Sequence, residues 1–493
     1  MTNSAYDTLL EHLKTTAALE QIGGILMWDQ EVMMPRKGNA QRAEQNAALE
    51  ATIHARRTDP RLPDWFDSID EDSLDMAGKA NLREAKRAYE RNTKIPAELA
   101  TELARATSAA QMVWADARAN DDFAAFAPTL ENILDLRRQE AACLANGGDL
   151  YDALLNDYEP DAKSETLAAL LGSLRPTLTD LRGRIAEKPP APRITQPFPA
   201  DVQMRVARRL ADAFGYDWEA GRLDFSTHPF SSGNNQDSRI TTRVNPDNVF
   251  DCFYSTIHEV GHSRYEQNMP LELARTPAGQ YASMGVHESQ SRMLENQIGR
   301  SRAFTEWMFG VMQEEMGDFG LTTPEDLYRA VNRVEAGYIR TEADEVHYNL
   351  HILMRFELES AMIRGDLQVA DLEGVWNETF ERDFGVAVDK PSNGVLQDVH
   401  WSVGLFGYFP TYSLGNIYAG ELFATMQQDI PSLGEYFRKG ETGEAMAWLK
   451  ANVHDKAHLK APEDIIADAV GHKPTAAPLA AYLEAKFSDL YDL

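Results

Sequence analysis

Apolar residues recur at intervals of three and four along almost the entire chain, and this periodicity constrains the fold more than any other feature. In the run Phe123, Phe126, Leu130 and Leu134, the spacing places every apolar side chain on one face of an α-helix. The alternation expected of β-strands is scarce, and residues 238–244 are the best strand candidate. We therefore predict a mainly α fold.

A proline-rich stretch, residues 189–192, interrupts the helical pattern. If it is a linker, residues 1–188 form an N-terminal helical part and residues 198–493 form a second part. Helical patterns of similar quality lie on both sides, so a single elongated helical body with a central cleft is equally consistent. The residues themselves leave both alternatives open.

The chain is strongly acidic, with 77 Asp and Glu residues against 48 Lys and Arg residues and a formal net charge of −29 over 493 residues. Such a charge argues against binding to nucleic acid or to anionic membrane surfaces. No apolar run approaches the roughly 20 residues that span a bilayer. Two cysteines are too few for a disulfide framework, and the first residues lack a secretory signal pattern, so we expect a cytoplasmic protein.

His258, Glu259 and His262 form an H-E-x-x-H motif. Asn245 and Pro246 predict the start of the helix that carries it, because Asn is favoured at the N-cap and Pro in the first turn. Two histidines four residues apart lie about 40° apart around such a helix and can bind one metal ion. Glu259 is placed beside them to reach a water at the metal, which predicts hydrolysis.

A catalytic zinc ion takes three protein ligands, so a third residue is needed. Asn268 stands where an extended motif would have a third histidine. Glu288, on the next predicted helix, is our candidate, and the adjacent His287 is its rival. A downstream helical Glu is typical of gluzincin metallopeptidases, although position 292 holds Arg where they often carry Asp.

A second histidine pair with the same spacing, His347 and His351, lacks a Glu directly after its first member. We interpret this pair as structural or as support for the site, rather than as a second metal site.

The chain resembles the carboxypeptidase Taq family of thermostable metallocarboxypeptidases. Five blocks carry the resemblance and occur in the family's order: residues 237–241 (DSRIT), 258–262 (HEVGH), 287–290 (HESQ), 339–344 (IRTEAD) and 394–401 (GVLQDVHW). Residues 27–30 (MWDQ) and 408–416 (YFPTYSLGN) extend it over nearly the whole chain.

The resemblance implies one peptidase domain over residues 1–493, a single elongated helical body with a small β-sheet beside a deep central groove. It also implies a homodimer. The implied activity is removal of single C-terminal amino acids from peptides with broad specificity, using Zn²⁺ or, in some members, Co²⁺.

Four further residues receive roles in this chemistry. Tyr412 and His400 are the candidate hydrogen-bond donors to the oxyanion of the reaction, with core packing as the alternative. Arg340 is the leading candidate to bind the substrate's terminal carboxylate and Arg239 is the second, because a guanidinium group forms paired hydrogen bonds with a carboxylate. For each arginine, a structural salt bridge is the alternative.

Two other function classes share some of these features. A helical oligopeptidase of the thimet type has the same metal helix and downstream Glu but cuts internally and belongs to a longer chain. A non-enzymatic scaffold with a structural metal would not need Glu259, because a structural site has no open coordination position for a carboxylate to serve.

Overall fold

Helices make up most of the computed structural model, which describes residues 4–493. The helices are α1 Ser4–Val32, α2 Asn39–Arg57, α3 Leu62–Ser68, α4 Met76–Lys94, α5 Ala97–Ala119, α6 Phe123–Leu144, α7 Leu150–Leu155, α8 Ser164–Gly172, α9 Arg175–Ala186, α10 Ala200–Ala213, α11 Val249–Asn268, α12 Met284–Arg292, α13 Arg302–Met316, α14 Pro324–Val331, α15 Glu345–Arg364, α16 Val369–Phe384, α17 Phe409–Asp429, α18 Leu433–Phe437, α19 Gly443–Asn452, α20 Pro462–Val470 and α21 Ala477–Tyr491. The strands are β1 Leu223–Phe225, β2 Ser231–Asn234 and β3 Asp237–Thr242. The prediction of a mainly α fold with a small sheet is confirmed.

The three strands form one sheet in which β3 lies between β1 and β2. β1 runs parallel to β3, and β2 runs antiparallel to it. The predicted strand at residues 238–244 overlaps β3. Because successive side chains point to opposite faces of a strand, Ser238 packs against α11, where its hydroxyl lies 2.6 Å from that of Ser263, while Arg239 lies on the other face.

The predicted start of the motif helix was wrong by about one turn. Helix α11 begins at Val249, with Asn248 at the N-cap. The side chain of Asn245 instead accepts a hydrogen bond from the backbone N–H of Asp247 at 3.0 Å. This local turn competes with helix formation, so Asn245 and Pro246 lead into the helix without belonging to it.

The main hydrophobic core contains side chains from both sides of the proline-rich stretch. Leu181 in α9 and Leu483 in α21 are both almost fully buried in it, and the two helices pack together. A smaller cluster, which includes Leu9, Phe66 and Leu82, joins α1, α3 and α4. Because one core crosses residues 189–192, we propose that the chain is one peptidase domain; of the span 1–493, residues 1–3 lie outside the described part.

A groove runs along α1 and past the sheet. One cavity of about 210 Å³ lies between α1, the β2–β3 turn and the end of α11. A larger cavity of about 1110 Å³ continues between α1, α4 and residues 275–280. The two cavities share Ala17, Glu20, Arg275 and Gln280 in their walls, so they form one depression beside the sheet.

Candidate metal centre

Three helices meet at the H-E-x-x-H motif because two glycines allow close approach. A Cβ atom on Gly261 of α11 would lie 2.4 Å from the Cα atom of Ser291 in α12. A Cβ atom on Gly415 of α17 would lie 2.6 Å from Cγ of Glu288. Neither approach leaves room for a side chain, so α12 is held against both neighbours and Glu288 is directed at the motif.

The candidate ligands converge on one point. Nε2 of His258 lies 3.5 Å from Oε2 of Glu288, and Nε2 of His262 lies 3.3 Å from the same oxygen. The ligand atoms of these three residues all lie within 4.8 Å of one another, and they are the one such group among the described residues. Metal–ligand distances of about 2.0–2.1 Å at tetrahedral angles place ligand atoms roughly 3.3 Å apart, so this donor set fits a divalent metal ion.

The carboxylate of Glu288 is fixed within its own helix. Its Oε1 accepts a hydrogen bond from Nε of Arg292 at 2.8 Å, and its Oε2 accepts one from the hydroxyl of Ser291 at 2.9 Å. Burial opposes ionisation of this group, but the neighbouring His258 and Arg292 lower the pKa of Glu288 overall. The Arg at position 292, where gluzincins often carry Asp, therefore contacts the candidate ligand directly.

His258 is oriented by an acid that the sequence analysis missed. Its Nδ1 lies 2.9 Å from Oε2 of Glu295, and that carboxylate also accepts from Arg292 at 3.1 Å and from Arg300 at 3.4 Å. Glu295 lies in a π-helical turn, Met293–Ile298, that continues α12. Its position seven residues after Glu288, on the same helical face, is the signal that could have found it.

His287, the rival ligand, has both ring nitrogens engaged elsewhere. Its Nδ1 lies 2.5 Å from Nδ1 of His262, and its Nε2 lies 3.0 Å from Oε1 of Glu266. In this arrangement His287 contacts the back of a candidate ligand and is turned away from Glu288, as expected for neighbours on a helix.

Glu259 is a buried carboxylate with an unusual lack of partners. Its side chain is 6% exposed, and it has no hydrogen-bond or ion-pair partner among the residues that the structure describes. Burial raises the pKa of Glu259 to about 7. It directly follows His258 in α11.

Arg340, Tyr412 and His400 come together from three segments of the chain. Arg340 is 6% exposed, and its guanidinium carbon lies 5.2 Å from the centre of the Tyr412 ring. The rings of His400 and Tyr412 are 6.3 Å apart. Burial lowers the pKa of His400 to about 4, and its Nδ1 is buried without a hydrogen-bond partner.

A buried carboxylate shared by two arginines holds Arg340 in place. Asp398 accepts from Nε of Arg340 at 3.0 Å and from Nε of Arg355 at 2.6 Å. Burial opposes ionisation here too, but Arg355 and Arg340 lower the pKa of Asp398 overall. Two guanidinium groups around one carboxylate leave a surplus positive charge.

Arg340 and Arg239 contact different groups of residues. Nη1 of Arg340 lies 3.5 Å from the hydroxyl of Tyr348, whose ring in turn packs against Arg292 at 4.1 Å, next to Glu288. Arg239 instead binds Asp237 through two hydrogen bonds of 2.7 and 2.8 Å, and lies 4.4 Å from the ring centre of Trp28 in α1. The MWDQ motif noted in the sequence thus covers Arg239.

None of the described helices is both long enough and apolar enough to cross a membrane.

Comparison with known proteins gives one consistent answer. The model of the carboxypeptidase Taq (M32) metallopeptidase family matches residues 8–487. Thermostable carboxypeptidase 1 of Thermus thermophilus is 42% identical over 99% of both chains, and carboxypeptidase 1 of Bacillus subtilis is 34% identical over 97% of both.

Solved structures agree with the sequence comparisons. The crystal structure of the M32 carboxypeptidase of Deinococcus radiodurans R1 covers 99% of this chain and 100% of its own, with a TM-score of 0.96 and 34% identity. Trypanosoma cruzi metallocarboxypeptidase 1 covers the same shares with a TM-score of 0.96 and 32% identity. The chain therefore belongs to the carboxypeptidase Taq (M32) family and is a metallocarboxypeptidase that acts on peptides with a divalent metal ion.

Proposed function

We propose that this metallocarboxypeptidase releases single C-terminal amino acids with broad side-chain specificity, and that His258, His262 and Glu288 hold its metal ion. The observation that carries the proposal is the convergence of these three ligand atoms beside Glu259, a buried carboxylate without a protein partner. A structural metal site would not need such a group.

Two imidazole nitrogens and one carboxylate oxygen are a typical ligand set of catalytic zinc, and Co²⁺ accepts the same donors. The ion, when bound, polarises the scissile carbonyl and activates water. Both histidines present Nε2 to Glu288 while Nδ1 faces another protein group, so the ring orientations are set before the ion binds.

We assign the general base to Glu259. As the attacking water forms its bond to the carbonyl carbon, the carboxylate of Glu259 takes a proton from that water and then delivers it to the leaving amine. Two observations support this role. Glu259 directly follows His258 in α11, and none of the described residues forms a hydrogen bond or ion pair with its carboxylate oxygens.

We assign stabilisation of the oxyanion to Tyr412 and His400. The oxygen of the scissile carbonyl becomes negatively charged in the reaction, and a hydroxyl or imidazole N–H can donate a hydrogen bond to it. Tyr412 lies beside Arg340, and Nδ1 of His400 is buried without a hydrogen-bond partner, with Asp398 3.9 Å away.

We assign recognition of the terminal carboxylate to Arg340 first and Arg239 second. The surplus positive charge of Arg340, Asp398 and Arg355 lies in a buried environment, where an additional carboxylate would be strongly attracted. The side chain of Arg239 is 20% exposed and lines the smaller cavity, but Asp237 already neutralises it.

Three further features complete the proposal and rest mainly on the resemblance. We propose broad specificity, a homodimer and a cytoplasmic location. The free thiols of Cys143 and Cys252 agree with a reducing compartment. Analysis of products from a panel of peptides tests the specificity, and analytical ultracentrifugation tests the dimer.

The decisive experiment compares peptides with a free and an amidated C-terminus in wild type and Arg340→Ala. We expect stepwise loss of single residues from the free-acid peptide and poor turnover of the amide. Arg340→Ala should lower kcat/KM for the free acid. The expected loss of transition-state stabilisation is about 2 to 4 kcal/mol, because one partner of a desolvated charge pair is deleted.

The amidated peptide provides the control within the same experiment. Arg340→Ala should barely change its turnover, since the carboxylate is absent. An equal loss of kcat/KM on both peptides would show that Arg340 supports the fold and does not bind the terminal carboxylate. Arg239→Ala, measured in parallel, shows whether the second arginine takes the role instead.

A further inference from the structure

His287 is surrounded by aromatic rings, and both of its ring nitrogens contact polar side chains. Its ring lies between the rings of Tyr281, at 4.8 Å, and Tyr265, at 5.4 Å, and its two nitrogens face His262 and Glu266. His262, Tyr265 and Glu266 all belong to α11, so His287 of α12 is enclosed by one helix and by Tyr281.

Only one placement of protons on neutral rings satisfies both contacts of His287, the one to His262 and the one to Glu266. If Nδ1 of His262 carries the proton, it donates to Nδ1 of His287, and the proton on Nε2 of His287 is donated to Glu266. The lone pair on Nε2 of His262 is then free for the metal ion. In the reverse placement, Nδ1 of His287 carries the proton and donates it to Nδ1 of His262. The proton of His262 is then on Nε2, and the lone pair on Nε2 of His287 faces a lone pair of the Glu266 carboxylate.

We propose that His287, held by Glu266, is a positioning residue that fixes His262 in the tautomer whose Nε2 binds the metal ion. The inference rests on the proposed ligand set. His287 would act through His262 without contacting the ion or the substrate.

The two ligand histidines are therefore supported differently. His258 donates directly to the carboxylate of Glu295, which Arg292 and Arg300 also hold. His262 donates to a neutral ring, and the carboxylate of Glu266 is one step further away, in the wall of the 210 Å³ cavity. An acceptor behind a ligating histidine fixes its ring and raises its basicity, and losing such an acceptor typically weakens metal binding by 10- to 100-fold.

The test is zinc affinity of metal-free protein, measured by competition with a chelator. His287→Leu removes the acceptor and should raise the dissociation constant by roughly 10- to 100-fold. His287→Asn keeps an acceptor oxygen near the position of Nδ1 and should stay within about threefold of wild type. The visible spectrum of the Co²⁺-loaded proteins should remain that of wild type, because no ligand is removed.

A second pair of variants covers the case in which His287→Leu does not fold. Glu266→Ala removes the outer acceptor and should also weaken zinc binding, whereas Glu266→Gln keeps an acceptor oxygen and should bind zinc nearly as wild type does. Unchanged affinity in Glu266→Ala would then overturn the inference.

Three results would overturn it directly: wild-type affinity in His287→Leu, equal weakening in the Leu and Asn variants, or a Co²⁺ spectrum that loses a nitrogen ligand. Glu288→Ala, run beside them, separates this inference from the proposed function. If Glu288→Ala retains zinc, the ligand set is wrong; if it loses zinc while His287→Leu binds normally, only the role of His287 is wrong.

Discussion

Two helices of this protein carry a pair of histidines with identical spacing, yet their surroundings differ completely. His258 and His262 of α11 both face the carboxylate of Glu288, which comes from another helix. His347 and His351 of α15 face groups that already have other hydrogen-bond partners. Nδ1 of His347 lies 2.8 Å from Asp344, and that acid also caps the start of α15 by accepting from the backbone N–H of Val346.

Aromatic rings close the second pair off from a metal ion. The ring of His351 lies 4.4 Å from that of Phe384, and its Nδ1 lies 3.3 Å from Nη1 of Arg355. Burial first, and then the charge of Arg355, lowers the pKa of His351 well below its usual value. The comparison teaches that spacing makes a metal site possible, whereas a carboxylate delivered by a neighbouring helix to the Nε2 atoms of both histidines completes the group of candidate ligands.

The sharpest test of the comparison removes one histidine from each pair. His258→Ala should abolish both zinc binding and peptide hydrolysis, because two ligands rarely retain a catalytic metal ion. His347→Ala is the matched variant and should keep one zinc ion per chain. Metal analysis of the purified proteins measures both, and loss of zinc from His347→Ala would contradict the distinction drawn between the pairs.

The next effect concerns Glu259, which has no counterpart beside His347. Glu259→Gln should keep the metal ion but lower kcat by roughly 10²- to 10⁴-fold, since the base is removed and the ligands remain. Single-turnover kinetics and metal content should be measured on the same preparation. Normal turnover with the metal bound would remove Glu259 from its proposed role.

The smallest expected effect concerns Glu159, which supports helix α12 beside the first histidine pair. Glu159, a buried acid outside the metal site, accepts a hydrogen bond from the backbone N–H of Gly285 at 3.1 Å and so holds the start of α12. Burial raises the pKa of Glu159 from 4.5 to about 7. A carboxyl whose pKa is raised on folding stabilises the fold most at low pH, and this contribution decreases as the pH rises from 4.5 to about 7.

Glu159→Gln cannot ionise and should remove this dependence. The slope of the unfolding free energy against pH should change by at most about 1.4 kcal/mol per pH unit in that window. Urea unfolding of the metal-free protein at several pH values measures the slope. Glu165→Gln, at an exposed position of α8, is the control, and an identical slope in wild type and Glu159→Gln would show that Glu159 does not titrate with folding.

Part of this molecule follows from short-range patterns in the sequence. The helical periodicity predicted the fold class, residues 238–244 predicted β3 to within about two residues, and the motif predicted two histidines on one helical face. These features depend on residues within a turn or two of each other, where backbone geometry alone relates one side chain to the next. The helix start at Asn245 failed because an equally local turn competed with it.

Other features were decided only when distant segments packed together. Glu288 rather than His287 faces the Nε2 atoms of His258 and His262 because of how α12 lies against α11 and α17, and that contact depends on the space at Gly261 and Gly415. Sequence spacing placed the two candidates side by side and could not say which of them faces Nε2 of the motif histidines.

The sequence by itself determined a helical metallopeptidase with its two motif histidines, and the tertiary structure decided what surrounds them. Glu295 and Glu266 stand behind the first pair, Asp344 and Phe384 close the second, and Arg340 reaches Tyr412 from another segment. The physical reason is that helical spacing fixes the direction of a side chain relative to its own axis, whereas the partner it meets depends on how separate helices pack.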